Sequence, residues 1–163
     1  MLNKIRAELF CISGIKIPLI VCCSVSAVFG VLTWITTGGI PLFWRVMKKP
    51  ALCPPLFVLF ILSVALCVFW GVLAAVCSGV RRGVPNALIS AAAGFFLSLF
   101  WCPLFFAARG TVAACSLAAS ALCPIPAAVR CGRAYPALLV TAVPVWLIAA
   151  YLFYLSAGFA VLN

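Results

Sequence analysis

The residues with the most chemical reach are ten cysteines, three of which precede proline at Cys53-Pro54, Cys102-Pro103 and Cys123-Pro124. A thiolate in that setting can hold haem iron, and so many cysteines would ordinarily suggest disulfides or zinc. The chain withholds the partners such chemistry needs. It has no histidine and a single acid, Glu8, read as a solvated charge outside the spans. No general base, carboxylate pair or mixed Cys-His cluster can be assembled, and there is no Cys-x-x-Cys pair. Cys22, Cys23, Cys67, Cys77, Cys102, Cys115 and Cys123 fall within or at the ends of apolar runs, where cysteine behaves as a small apolar residue. The reading is therefore not an enzyme, with no metal site and no required cofactor. In the Cys-Pro pairs, proline is placed for the backbone and cysteine is its small neighbour.

The elements around these residues are apolar blocks in a chain that is 68% hydrophobic. A hydrocarbon core of about 30 Å takes roughly 20 helical residues to cross. Residues 17–37, 55–80, 84–108, 111–129 and 134–162 each offer that length, with basic residues between them. Lipid-exposed irregular backbone would leave amides unsatisfied, and the alternation of a barrel strand is absent, so the spans should be helices. The expected fold is an all-α integral membrane protein, a single bundle of five transmembrane helices in one domain over residues 1–163. That is too small for a two-lobed transporter built of inverted repeats. It also lacks the intramembrane acid or histidine of a proton-coupled one.

The net charge of +10 is scattered over both membrane faces. Its partner is the lipid bilayer, and no nucleic acid is expected, because a nucleic-acid surface needs one contiguous patch. Lys4, Arg6, Lys16, Arg81, Arg82, Arg130 and Arg133 lie on one side against Arg45, Lys48, Lys49 and Arg109 on the other, which favours a cytoplasmic N-terminus. The small residues Ser24-Val25-Ser26-Ala27 could mark signal cleavage, but the apolar run continues past them for a full span.

Pro54-Pro55 should open the second helix, where missing donors cost little, and Pro103 should kink the third. On that third helix Ala87, Ala91, Gly94, Ser98 and Cys102 recur at spacings of three and four. Such a stripe permits close helix contact, either inside the bundle or in a homodimer through helix 3.

Between the first two spans runs Phe43-Trp44-Arg45-Val46-Met47-Lys48-Lys49-Pro50-Ala51-Leu52-Cys53-Pro54-Pro55, followed by Val58, Leu66 and Gly71. Further on come Leu97-Ser98-Leu99-Phe100-Trp101-Cys102-Pro103-Leu104-Phe105-Phe106-Ala107-Ala108-Arg109, then Pro136, Pro144, Leu155 and Leu162-Asn163. In order and spacing these blocks resemble the TspO/MBR family, the tryptophan-rich sensory and translocator proteins, over Gly30 to Asn163. The form Lys-Pro-Ala-Leu-Cys-Pro-Pro and the lack of a transit peptide are similar to bacterial members, which implies the bacterial inner membrane.

The resemblance implies a pocket inside five helices, capped by the first loop, that takes porphyrins, sterol-like lipids or synthetic aromatic molecules. Carried over residue by residue, it implies Ser63, Cys67, Ser98, Trp101, Phe105, Phe106, Ile148 and Leu152 as pocket positions. Trp44, Lys49, Pro50, Pro54 and Pro55 form the loop cap and signature. Trp101, Phe105 and Phe106 offer flat faces for a macrocycle, or ordinary helix packing. Ser98 offers a polar handle. Arg45, Lys48 and Lys49 offer cations for propionates of a haem-type tetrapyrrole, or headgroup contacts, and Trp44 is either cap or interfacial anchor. Several family positions are changed: Ser63 and Ile148 replace tryptophans linked to light-dependent porphyrin breakdown, Cys67 replaces a tyrosine, and Ser98 and Ser156 replace asparagines. Trp146, two residues before Ile148, should face elsewhere, since two residues are about 200° around a helix. No basic residue follows Tyr151 or Tyr154, so the family's sterol-recognition pattern is missing. Two functions stay open: binding a flat hydrophobic ligand for transport, sensing or turnover, or a membrane scaffold with a vestigial pocket acting through a protein partner.

Overall fold

The computed structural model describes residues 16–37, 44–79, 85–107, 110–123, 125 and 136–163, and among these every regular element is a helix. In chain order they are α1 (Lys16–Ile35), α2 (Leu56–Gly79), α3 (Pro85–Leu99), α4 (Trp101–Phe106), α5 (Gly110–Leu122) and α6 (Pro136–Leu162). Four apolar stretches are long enough to cross a membrane: Pro18–Ile35, Leu56–Cys77, Leu88–Phe106 and Leu138–Leu162. This is the pattern of a membrane-embedded, multi-pass protein. The fourth expected span, 111–129, is a shorter matter. Its described helix has 13 residues and covers about 20 Å at 1.5 Å per residue, so the described residues give four full-length spans rather than five.

Proline sets two of the boundaries. The Pro55 carbonyl receives the amides of Val58 at 2.9 Å and Leu59 at 3.2 Å, which starts α2 directly after the Pro54-Pro55 pair. Pro103 has no N–H to give the carbonyl four residues back, and the helix is interrupted one residue later, at Phe100, with α4 continuing from Trp101. The expected kink is thus a break between two helical segments of one span. Pro144 lies inside α6, which continues through it.

Helix α2 is the hub, packing against α1, α3 and α6, while α5 bridges α6 to α3 and α4. The buried positions explain this arrangement. On α2 they run Leu59, Ser63, Leu66, Trp70, Leu73 and Cys77, and on α6 they run Leu138, Ala142, Val145, Ala149, Leu152, Leu155 and Phe159. Both series step by three and four, the seam of helices crossing at shallow angles. Helix α1 differs: only 11% of its apolar window is buried, against 39% for α2. It lies against α2 and turns Ile20, Val28 and Leu32 outward.

The basic residues used to orient the chain, apart from Arg45, Lys48 and Lys49, have side chains outside the described residues, as do Glu8 and the side chain of Ala87.

Candidate functional site

Three of the expected pocket positions, Trp101, Phe105 and Phe106, come together in a packed aromatic cluster. The Trp101 and Phe105 rings stack with centroids 5.2 Å apart and planes at 24°. Phe105 meets Phe106 edge-on at 5.0 Å and Phe159 edge-on at 5.0 Å. Trp101 and Phe105 each keep 1% of their surface and Leu152 keeps none. Ser63, Cys67, Ser98 and Phe106 are buried as well, and Ile148 is half-buried. These faces are occupied by one another, the packing arm of the two readings left open for them.

The polar groups are engaged too. The Ser98 hydroxyl, expected as a handle, donates to the Phe95 carbonyl of its own helix at 2.7 Å. It can only accept from a ligand. Ser63 donates to the Phe60 carbonyl at 2.8 Å and accepts the indole N–H of Trp34. Trp34 also meets Phe60 and Phe106 edge-on, each at 5.3 Å. A tryptophan thus stands beside Ser63 after all, delivered by α1 rather than α2. In the same way Trp101 donates to Ser156 at 2.8 Å, and Ser156 donates to the Leu152 carbonyl at 2.8 Å. Trp34 and Phe159 escape sequence reasoning because each acts across a long interval; their only advance signal is that they are aromatic residues within apolar spans.

The small-residue stripe faces inward. Ala91 and Cys102 are buried with Ser98, and a Cβ at Gly94 would overlap the Trp70 ring. Of the two arrangements open for the stripe, these four positions adopt packing within the bundle, which leaves them no surface for a second copy. Cys102 reaches back to α1, its sulfur 3.9 Å from the Thr33 carbonyl and 3.8 Å from the Thr37 hydroxyl just past the helix end.

The loop of residues 44–55 is held down as a cap by the end of α6. Tyr151 donates to the Leu52 carbonyl at 2.8 Å and Tyr154 to the Ala51 carbonyl at 2.8 Å. Asn163 accepts from the Lys48 amide at 2.9 Å and donates to its carbonyl at 3.1 Å. Leu52 adopts φ 62°, a left-handed turn uncommon for a branched side chain. Pro50 lies so close that a Cβ at Gly158 would stand 2.8 Å from the Pro50 Cβ, so glycine is required there. Trp44 is half-buried, its ring 5.9 Å from Phe159, with the Lys49 ammonium 5.0 Å above its face. That is a cap contact with a cation on top. Arg45 and Lys48 are exposed. Burial pushes the Cys53 thiol up from its ordinary range, with Lys49 opposing.

Beneath the cap is a cavity of about 280 Å³, lined by Met47, Phe105, Gly110, Thr111, Phe159, Ala160 and Asn163. Of the eight expected pocket positions only Phe105 reaches it. Trp146 points to the other side of α6, donating to the Ala121 carbonyl of α5 at 2.9 Å. Comparison with family models, curated proteins and solved structures gives no match.

Proposed function

We propose that the chain is a five-helix, TspO/MBR-like protein of a bacterial inner membrane, N-terminus cytoplasmic, that binds a flat hydrophobic ligand, porphyrin or sterol-like, beneath its loop cap. The observation that carries this reading is the Trp101–Phe105 stack, whose Phe105 ring also lines the capped cavity. A flat macrocycle would extend that stack, and Arg45 and Lys48, exposed on the cap, could meet its carboxylates. The cavity of about 280 Å³ falls just short of the range from about 300 Å³ that holds drug-sized ligands. Asn163, which lines the cavity and is bonded to Lys48 of the loop, is the contact that an entering ligand meets first. The ligand is then transported, sensed or turned over. Light-dependent breakdown is not proposed, since Ser63 and Ile148 hold the positions the family gives to tryptophan.

One observation favours the scaffold reading instead: Trp101, Phe105 and Leu152 are already buried by their neighbours. Titration of the detergent-purified protein with protoporphyrin IX, followed by tryptophan quenching, separates the two. Saturable quenching, weakened by roughly tenfold in Phe105→Ala, is the outcome expected for the ligand binder. Linear partitioning, indifferent to that substitution, would leave a protein partner as the target.

A further inference from the structure

A second concavity lies on the far side of the bundle from these aromatics, between α5 and α6. It measures about 650 Å³, and essentially no polar atom faces it. The space exists because Ala118, Ala121, Ala149 and Ala150 are small, while Trp146 and Phe153 bound it. Trp146 is a fixed wall: its one polar atom donates across the seam to the Ala121 carbonyl at 2.9 Å. The groove therefore offers no hydrogen bond to an occupant, and any polar group placed in it would lose its water without compensation.

We infer that this groove is a binding site for the acyl chain of a membrane phospholipid. It opens onto the outward apolar face that the bilayer covers, where Leu147 is 67% exposed and Phe153 is 42% exposed. The occupant is thus already at hand at the same depth, and it consists of the methylene groups the lining suits. From Leu117 to Leu122 the groove follows α5 for about 7.5 Å at 1.5 Å per residue, and Ile125 adds to its lining beyond the helix. A chain seated there is held by the wall of Trp146 on one side and Phe153 on the other, unlike chains that slide over the convex face of α1.

The test uses the full chain in phosphatidylcholine vesicles that contain a phospholipid with a diazirine at mid-chain. After irradiation, labelled residues are mapped by peptide mass spectrometry. Labelling of the 117–125 and 146–153 peptides is expected to exceed that of the outward α1 residues Ile20 to Leu32 by about tenfold, the equivalent of about 1.4 kcal/mol. Ala150→Phe, which fills the groove, should lower it to the α1 level, with unchanged helical circular dichroism. The wild-type map decides the matter if that variant fails to fold. Even labelling over all outward faces would overturn the assignment. So would chain-to-chain crosslinks at these peptides, which would make the occupant a second copy.

Discussion

Trp101 and Trp70 are both buried, at 1% and 0% exposure, yet they are held in different ways. The Trp101 indole has a stacking partner in Phe105 and an acceptor in Ser156. The Trp70 ring sits over Gly94, and its N–H has no hydrogen-bond partner among the described residues. Water is scarce at this depth and cannot make up the difference. In the half of the bundle around α4 the buried indole is therefore placed by polar contacts as well as shape, while in the other half the Trp70 indole is placed by shape. A donor without an acceptor costs about 1–3 kcal/mol, which close packing of the indole over α3 must offset.

The largest effect should come from filling the hollow under Trp70. Gly94→Leu is expected to cost about 3 kcal/mol in detergent-unfolding titrations. Much of that loss should be recovered in the Gly94→Leu, Trp70→Ala pair, because two residues in contact do not act additively. Independent losses in the pair would mean that the two residues do not share one space. Next in size, Trp101→Phe should cost about 2 kcal/mol, from one lost hydrogen bond and a small void. Trp70→Phe leaves a similar void but breaks no bond, so it should cost about 1 kcal/mol less. Equal losses in the two variants would end the contrast drawn between the halves. Ser156→Ala should cost about 1 kcal/mol in the native sequence and close to nothing once Trp101 is phenylalanine. Smallest of all, Tyr154→Phe at the exposed cap should change global stability by less than about 0.5 kcal/mol. It should nevertheless speed backbone hydrogen exchange in residues 48–52, and unchanged exchange there would show that the tyrosine does not restrain the loop.

Those predictions rest on unequal shares of sequence and coordinates. The long spans are legible because burial in hydrocarbon demands uninterrupted apolar residues, and Pro54-Pro55 and Pro103 mark a helix start and a break through their missing donors. The length of α5 is less legible, since the apolar composition of 111–129 does not say where its helix ends. The stripe through Gly94 is visible as a run of small residues, but its partner is not: Trp70 lies on another helix, and nothing near it in the chain points to α3. The same holds for Ser63. Its hydroxyl accepts from the indole of Trp34, which comes from α1, and nothing near Ser63 in the chain points there. The positions carried over from a resemblance include Trp101, Phe105 and Phe106 of the packed aromatic cluster but not Phe159, because contact partners are not written in local spacing.

The contacts that close the cap join residues 99, 103 and 115 positions apart in sequence. Membrane chains are made from the N-terminus onward, and α1 and α2 can pair as soon as both have emerged. The loop between them has nothing to lie on until α6 has been inserted, because Tyr151, Tyr154, Gly158 and Asn163 all belong to its last stretch. Closure of the cap therefore waits for the insertion of α6. A ribosome-arrested chain that ends before Tyr151 would have every earlier helix and an open mouth.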